Sequence, residues 1–166
     1  MKSLILVRHG KSSWKESLPD KMRPLKKRAF RDANLVLEEL KPKLKVTSKM
    51  LVLSSTATRA ITTAQLFKQE LNVSKSEFKR LDALYTFNHE DVIDIIQQQH
   101  SKYDTIMLFG HNPGFTNLIN LFGDQPIVNF PTTGLVKLDF PSIEDWGKLT
   151  QGRVDYCLFP KNLRNE

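Results

Sequence analysis

The sequence predicts an α/β fold, a three-layer α/β/α sandwich around a mostly parallel central sheet. Short apolar segments of strand length alternate along the chain with longer segments whose apolar residues recur every three or four positions. Such alternation is typical of a parallel sheet that is covered by helices on both faces. The chain has 166 residues and contains neither an internal repeat nor a linker-like stretch. We therefore expect a single domain over residues 1–166.

The first half of the chain supplies two strand–helix pairs. Residues 4–7 are all apolar and two of them are β-branched, which predicts a buried strand over residues 3–7. From residue 26 to the residue before Pro42, apolar residues recur at helical spacing and predict an amphipathic helix. Residues 49–53 form a second buried strand, and 57–71 a second helix. The hydroxyl residues at 54–56 are N-cap candidates for that helix.

The second half continues the alternation. A short strand at 78–81 precedes a helix at 89–99, and a strongly apolar strand at 105–109 precedes a helix at 115–122. The last two strands lie at 135–140 and 154–159, and the first of them alternates apolar and polar residues as a strand with one buried face does. We expect the polar tail from residue 161 to be frayed.

The composition indicates anionic partners without indicating nucleic acid. The net charge is +7 and the isoelectric point is about 9.5. A basic balance of this kind suits phosphate esters, phosphoproteins or nucleic acid. However, only Lys26-Lys27-Arg28 forms a run, and no aromatic residues are interleaved with it. We therefore expect no nucleic-acid partner.

The remaining composition indicates a reducing compartment and no metal. The single cysteine, Cys157, cannot form an internal disulfide, and its apolar neighbours predict a small buried residue. No apolar run approaches the ~18 residues that a membrane-spanning helix requires, and the N-terminus lacks the features of a signal peptide. The expected location is the cytoplasm. The four histidines lack metal-ligand spacing, so we expect neither a metal nor a cofactor.

Similar polar groups follow three of the predicted strands. The first strand runs into Arg8-His9-Gly10, where the glycine allows a sharp turn. The second leads through a Ser/Thr turn to Arg59, and the strand at 105–109 ends in Gly110-His111-Asn112. Because the carboxyl ends of parallel strands meet at one edge of a sheet, we expect these groups to converge beside helix N-termini. Two arginines and two histidines at one edge predict a site for a phosphoryl group.

The chemistry of these four side chains suggests a division of roles. A neutral imidazole at His9 can attack phosphorus and form a phosphohistidine intermediate. His111 would donate a hydrogen bond to the equatorial oxygens, and Arg8 and Arg59 would hold the same oxygens throughout.

Three motifs resemble those of the histidine phosphatase superfamily, which has the phosphoglycerate-mutase-like fold. They are Arg8-His9-Gly10, Ser55-x-Ala57-x-Arg59-Ala60 and Gly110-His111-Asn112-Pro113-Gly114. Within the superfamily the chain is most similar to the SixA-type phosphohistidine phosphatases, through Lys11-Ser12-Ser13-Trp14 and Asp20-x-x-Arg23-Pro24-Leu25. The resemblance implies that His9 is the phosphorylated nucleophile and that Arg8, Arg59 and His111 complete the phosphate pocket. It also implies that a histidine-phosphorylated carrier or relay protein is the partner. We expect activity without added metal, because the arginines supply the positive charge.

Other residues near these motifs have two interpretations each. Arg23 is a further substrate contact or an exposed arginine before a proline turn. Ser12 donates to phosphate or only caps the turn. For Trp14, Tyr85 and Phe87 we favour packing over a place at the mouth of the pocket.

One departure from the family pattern narrows the range of expected substrates. Ester-cleaving relatives carry a glutamate as general acid in a Leu-x-Glu setting, where this chain has Leu81-Asp82-Ala83-Leu84-Tyr85. Asp82, Glu90 and Asp91 are the nearest carboxylates, and all three are interpreted as surface residues. An alkoxide leaving group needs a proton, whereas a phosphorylated imidazole leaves more easily. The segment at 72–104 also has little room for a substrate cap.

We therefore expect a phosphatase that acts on phosphohistidine in a protein. A phosphatase of the same fold that hydrolyses small phosphate esters is the alternative. A non-catalytic phosphate-binding module is a third and more distant possibility.

Overall fold

The structure is a computed structural model, and it describes residues 1–164. Within these residues six strands form one sheet with helices on both faces. The strands are β1 (Lys2–Arg8), β2 (Met50–Ser55), β3 (Phe78–Leu81), β4 (Thr105–Gly110), β5 (Leu135–Phe140) and β6 (Arg153–Leu158). The helices are α1 (Lys27–Leu40), α2 (Thr58–Leu71), α3 (His89–Gln97), α4 (Gly114–Phe122) and α5 (Pro160–Leu163).

The sheet confirms the predicted α/β sandwich and is mostly parallel. Its strand order is β3-β2-β4-β1-β5-β6. The first four strands in this order run parallel, whereas β5 is antiparallel to β1 and β6 is antiparallel to β5. Helices connect the parallel strands, as such crossovers require. The segment after α4 instead returns to the carboxyl end of β1, where the Thr133 N–H donates to the Arg8 carbonyl at 3.0 Å, so β5 starts at that edge and runs backwards.

Strand β1 lies between two apolar cores. Leu4 and Leu6 belong to the core on one face of the sheet, which also contains residues of α3 and α4. Ile5 and Val7 belong to the core on the other face, with residues of α1 and α2. Successive side chains of a strand point to opposite faces, so a continuous apolar run needs a core on each side.

Two local expectations were wrong. The hydroxyl residues at 54–56 do not cap α2: the N-cap is Ala57, and it makes no side-chain capping hydrogen bond. Ser54 and Ser55 are instead the last residues of β2. Cys157 is exposed rather than buried, because β6 is the strand at the edge of the sheet: its partner Val136 on the neighbouring strand is buried, and Cys157 lies one strand further out.

The expected frayed tail is ordered as far as the described residues extend. Residues 160–163 form α5, and the Arg164 guanidinium donates to Asp32 Oδ1 at 2.8 Å. Asp32 is a buried carboxylate of α1, so this ion pair ties the end of the described chain to that helix. Residues 165–166 lie outside the described residues. Across residues 1–164, no helix combines the length and apolar character that crossing a membrane would demand.

Helix α4 offers a matched test of the core. Leu118 is fully buried, whereas Leu121, one turn further along, is half exposed. We expect Leu118→Ala to lower the free energy of unfolding by about 2–5 kcal/mol, through lost apolar burial and the cavity left behind. Leu121→Ala should change it by less than about 1 kcal/mol. Urea denaturation of both variants measures the difference, and equal losses would contradict the packing of α4 described above.

Candidate active site

The carboxyl ends of the central strands meet at one edge of the sheet. Arg8 of β1 pairs with Gly110 of β4, and Ser54 of β2 pairs with Phe109. A cavity of about 260 Å³ opens at this edge. It is lined by Arg8, His9, Lys11, Ser12, Trp14, Asp20, Arg23, Arg59, Phe87, His111, Asn112 and Thr132. All six site residues selected from the sequence are in this set, so the fold brings them together.

The His9 imidazole is held in one tautomer. Its Nδ1 lies 2.7 Å from the Gly10 carbonyl oxygen, which can only accept, so Nδ1 carries the proton and Nε2 keeps a free electron pair. Burial lowers the pKa of His9 to about 3, and the nearby positive charges of Arg59, Arg8 and Arg23 act in the same direction. The ring is therefore neutral at pH 7, the form in which its nitrogen can act as a nucleophile.

Gly10 is needed for close packing rather than for a sharp turn. A Cβ at this position would lie 2.7 Å from the Cβ of Ala29 on α1. Among the described residues no glycine has a positive φ, so the expected glycine-specific turn is wrong. The Gly10 N–H donates to Thr63 Oγ1 at 3.0 Å, which fixes the backbone beside His9 against α2. Close contact of α1 and α2 with this backbone holds the histidine in place.

The two predicted arginines are oriented by backbone carbonyls. Arg8 Nη1 donates to the Phe130 carbonyl at 2.8 Å, while its buried Nε has no partner within residues 1–164. Arg59, in the first turn of α2, is 2% exposed. It donates from Nη1 to the Asp20 carbonyl at 2.7 Å, and its Nε lies 3.4 Å from His9 Nε2. The Arg59 guanidinium therefore lies next to His9 Nε2, the ring nitrogen that carries the lone pair.

His111 lies beside His9, with the two ring centroids 5.2 Å apart. Its Nε2 is 2.8 Å from Ser55 Oγ, and the same hydroxyl accepts the Ala57 N–H at 3.2 Å. When the Ser55 hydroxyl donates to Nε2, the ring proton is on Nδ1, which is buried and has no partner in the described chain. Burial, together with the neighbouring His9 and Arg59, lowers the pKa of His111 to about 3.

Asp20 is the carboxylate of the site, a role that the sequence motifs did not predict. Its Oδ2 accepts from Arg59 Nη2 at 3.0 Å and from the Tyr85 hydroxyl at 2.6 Å. Its Oδ1 accepts from Arg23 Nε at 3.2 Å and Nη2 at 3.1 Å. Partial burial raises the pKa of Asp20, but hydrogen bonds from Tyr85, Arg59 and Arg23 outweigh it and lower the pKa to about 2. Asp20 is therefore ionised at neutral pH and links three donors.

A signal for Asp20 is present in the sequence. Asp20 and Arg23 are three residues apart, and residues 20–22 form a single 3₁₀ turn that brings both side chains to the cavity. An acid and a base at this spacing are neighbours on a helical turn. What the spacing does not reveal is the contact with Arg59, which is 39 residues away in the chain.

Arg23 and Ser12 are partners of one another. Arg23 is only 6% exposed, so the interpretation as an exposed arginine before a proline is wrong. Its Nη1 donates to Ser12 Oγ at 2.6 Å. Ser12 is itself buried and forms an isolated antiparallel bridge with Leu25. The serine therefore fixes the position of the arginine within the cavity.

The three acidic residues proposed from the family pattern lie outside the cavity lining. Asp82 is exposed and accepts hydrogen bonds from Thr56 and Lys21. Asp91 accepts from the Thr86 hydroxyl, and Glu90 lies in the first turn of α3. Their interpretation as surface carboxylates agrees with these positions.

Two aromatic side chains line the cavity mouth, contrary to the expectation that they pack. Trp14 is 72% exposed and Phe87 is 49% exposed. Tyr85, the third aromatic residue, is partly buried and donates to Asp20. The expectation failed because apolar character alone does not say which side of a loop faces the interior.

The donor set suits an anion. Three arginines and Lys11 line the cavity against one carboxylate, Asp20. Within residues 1–164, no group of three or more His, Cys, Asp or Glu side chains could hold a metal ion. Guanidinium groups bind tetrahedral oxyanions through paired hydrogen bonds, so the arrangement can hold a phosphoryl group against a neutral imidazole.

Comparisons with solved structures agree on the fold. The protein histidine phosphatase SixA complexed with tungstate is 20% identical, with a TM-score of 0.80 over 98% of this chain and 99% of that chain. The SixA protein from Agrobacterium tumefaciens is 24% identical, with a TM-score of 0.76 over 95% of this chain and 97% of that chain. A phosphoserine phosphatase mutant from Entamoeba histolytica, in complex with phosphoserine, is 15% identical, with a TM-score of 0.65 over 99% and 100%.

The sequence comparisons identify the family. No curated protein sequence matches the chain. The family model of the histidine phosphatase superfamily (branch 1) matches residues 4–113, a span that contains all six site residues selected from the sequence. Together with the phosphoglycerate-mutase-like fold, this match confirms the resemblance seen in the three motifs. The chain belongs to the histidine phosphatase superfamily.

Proposed function

We propose that this protein removes the phosphoryl group from phosphohistidine in a protein, through a phosphohistidine intermediate on His9. The observation that carries the proposal is the neutral His9 ring, with an unprotonated Nε2 in a cavity lined by three arginines. Arg8, Arg23 and Arg59 supply the positive charge that a phosphoryl group needs, so the proposed reaction uses no metal. The tungstate-bound SixA structure, similar in fold, supports an oxyanion site in this architecture.

The reaction has two balanced steps. In the first, His9 Nε2 attacks phosphorus and the substrate's P–N bond breaks. The bonding electrons go to the leaving imidazole, which departs neutral because its other nitrogen carries a proton. In the second, water attacks the phosphorylated His9, its hydroxyl joins phosphorus, its remaining proton is released, and the electron pair of the P–N bond returns to Nε2.

The remaining side chains stabilise the transferred group. Arg8 and Arg59 hold its oxygens while charge moves from the leaving group to the nucleophile. Arg8 Nε and His111 Nδ1 are the two buried nitrogens near the cavity without partners in the described residues, and we assign them to these oxygens. Preorganised donors of this kind need little rearrangement during the reaction.

The state of the carboxylates favours a P–N substrate over an ester. An alkoxide leaving group needs a proton, and general acid catalysis contributes ~10²–10⁴-fold. Asp20 is ionised, with a pKa lowered to about 2 by hydrogen bonds that exceed the effect of burial, so it has no proton to give at neutral pH. Asp82 lies outside the cavity lining. An imidazole leaving group does not require that proton.

A phosphatase acting on small phosphate esters is the second candidate. The similar fold of the phosphoserine phosphatase from Entamoeba histolytica favours it, although its TM-score of 0.65 is below the 0.80 of the SixA structure. A cavity of about 260 Å³ also has room for a small ester. The two candidates share His9 as nucleophile and differ in the bond that breaks.

The substrate test compares the two bond types directly. We expect the protein, assayed in the presence of EDTA, to dephosphorylate a histidine-phosphorylated carrier protein much faster than a panel of alkyl phosphates. His9→Ala should abolish turnover, because it removes the nucleophile, while Arg8 and Arg59 continue to bind inorganic phosphate. His100→Ala is the matched control, since His100 is exposed and does not line the cavity. Turnover of esters alone would refute the phosphohistidine assignment, and a fully active His9→Ala would refute the nucleophile.

The protonation of the two cavity histidines gives a second prediction. Because burial lowers both pKa values to about 3, His9 and His111 should remain neutral from pH 8 down to about pH 5. An ordinary histidine would take up a proton with a midpoint near 6.5. Proton NMR of the ring C–H signals, assigned with His9→Ala and His111→Ala, measures this in the ligand-free protein. A midpoint near 6.5 for the His9 signal would contradict the neutral nucleophile.

Asp20 provides a third prediction, as a positioning residue. We expect Asp20→Asn to lower kcat by roughly ten- to a hundredfold, because Arg59 and Arg23 lose the carboxylate that fixes their orientation. Binding of inorganic phosphate should be unchanged or tighter, since a competing negative charge is removed. Steady-state kinetics and calorimetry separate the two effects. Asp82→Asn is the control, and a loss of phosphate binding without a change in kcat would be inconsistent with positioning.

A further inference from the structure

Two exposed aromatic side chains at the cavity mouth have no function in the reaction as proposed above. Trp14 lies in the loop after β1, and Phe87 lies between β3 and α3. They are 72% and 49% exposed. Leu18 and Met22 of the same loop as Trp14 are also exposed, but neither lines the cavity. Large apolar side chains that border a ligand cavity are typical of contact sites.

Trp14 is held in place by a residue of the cavity. The guanidinium carbon of Arg23 lies 3.5 Å from the centroid of the Trp14 ring, a close cation–π contact. Arg23 is in turn bound to Asp20 and Ser12. One face of the indole is therefore occupied by a fixed, buried arginine, while most of the side chain stays open to solvent. A ring held in this way can bind a ligand at little cost in side-chain entropy.

Phe87 is held from the other side of the site. Its ring centroid lies 5.5 Å from that of His111 and 6.0 Å from that of Tyr85, both in edge-to-face geometry. Tyr85 donates to the same Asp20 carboxylate that binds Arg23. Asp20 therefore binds both Arg23, which contacts Trp14, and Tyr85, which contacts Phe87. Because Asp20 also binds Arg59, the two exposed rings are fixed relative to the phosphate pocket.

The chemistry of the cavity mouth favours a planar leaving group. The cationic side chains that line the cavity are Arg8, Arg23, Arg59 and Lys11, whereas Trp14 and Phe87 are the large apolar side chains of its lining. A small alkyl or hydroxyalkyl group gains little from aromatic walls, but a flat ring can stack on them. An imidazole or phenyl ring attached to the phosphoryl group has the size and shape for such contacts.

We propose that Trp14 and Phe87 form a leaving-group subsite that selects phosphoryl donors carrying a planar aromatic ring, the imidazole of phosphohistidine among them. This inference rests on the proposed function for the identity of that ring. It does not depend on turnover, because a ring can be tested as part of a ligand that is not hydrolysed.

The test uses two inert ligands that differ only in the ring. Phenylphosphonate and methylphosphonate both present a tetrahedral oxyanion to the arginines, and only the first presents an aromatic ring. We expect the wild-type protein to bind phenylphosphonate more tightly by calorimetry. Trp14→Ala and Phe87→Ala should each weaken phenylphosphonate about two- to tenfold, the range of one aromatic contact, and change methylphosphonate less than twofold.

Conservative variants separate contact from folding. Trp14→Phe and Phe87→Tyr keep a ring and should restore most of the preference, while Phe30→Ala, at an exposed aromatic residue of α1 outside the cavity, should leave both affinities unchanged. Equal weakening of both ligands would overturn the subsite and indicate that Trp14 acts only through Arg23. Unchanged binding in all variants would also overturn it.

Turnover assays distinguish this proposal from the proposed function. Phosphohistidine and phosphoramidate both contain a P–N bond, and only the first has a ring. Loss of kcat/KM for phosphohistidine alone in Trp14→Ala supports the subsite within the proposed reaction. A protein that binds phenylphosphonate as expected but hydrolyses neither compound would retain the subsite and refute the phosphohistidine assignment.

Discussion

The site depends on the contact between two buried arginines, Arg59 and Arg23, and the Asp20 carboxylate. Arg59 and Arg23 lie almost completely inside the protein, next to two imidazoles that burial keeps neutral. Burying guanidinium groups without a counter-charge would cost several kcal/mol for each ion. The Asp20 carboxylate provides that charge and binds both arginines at 3.0–3.2 Å. Because the carboxylate only partly neutralises the arginines, the cavity keeps a net positive charge for a phosphoryl group.

The backbone of the sheet holds these side chains in position. The parallel register of β1 and β4 sets Arg8 opposite Gly110, so that His9 and His111 follow at the same edge. The Gly10 carbonyl selects the tautomer of His9, and the Ser55 hydroxyl contacts the Nε2 of His111. Hydrogen bonds of this kind fix both the direction and the protonation of an imidazole. The sheet therefore positions the side chains, and the surrounding carbonyl and hydroxyl groups set their chemical state.

The sequence was sufficient to predict the helices and strands and the four central residues of the site, Arg8, His9, Arg59 and His111. Strands at 78–81 and 135–140 were predicted with their observed bounds, because apolar and β-branched patterns are local properties. Antiparallel pairing of β5 and β6 was not specified, since it depends on the path of the segment after α4. The exposure of Cys157 was missed for a related reason: an apolar neighbourhood in sequence does not show that a strand will lie at the edge of the sheet.

The sequence by itself determined the layered α/β fold, through the alternation of strand and helix patterns. It also determined the family and the convergence of Arg8, His9, Arg59 and His111, through short motifs that follow predicted strands. Only the tertiary structure decided the rest. Asp20 contacts Arg59 across 39 residues and Tyr85 across 65. Such contacts depend on how a loop folds over a distant helix, which no local pattern records. The exposed rings at the cavity mouth were hidden in the sequence for the same reason.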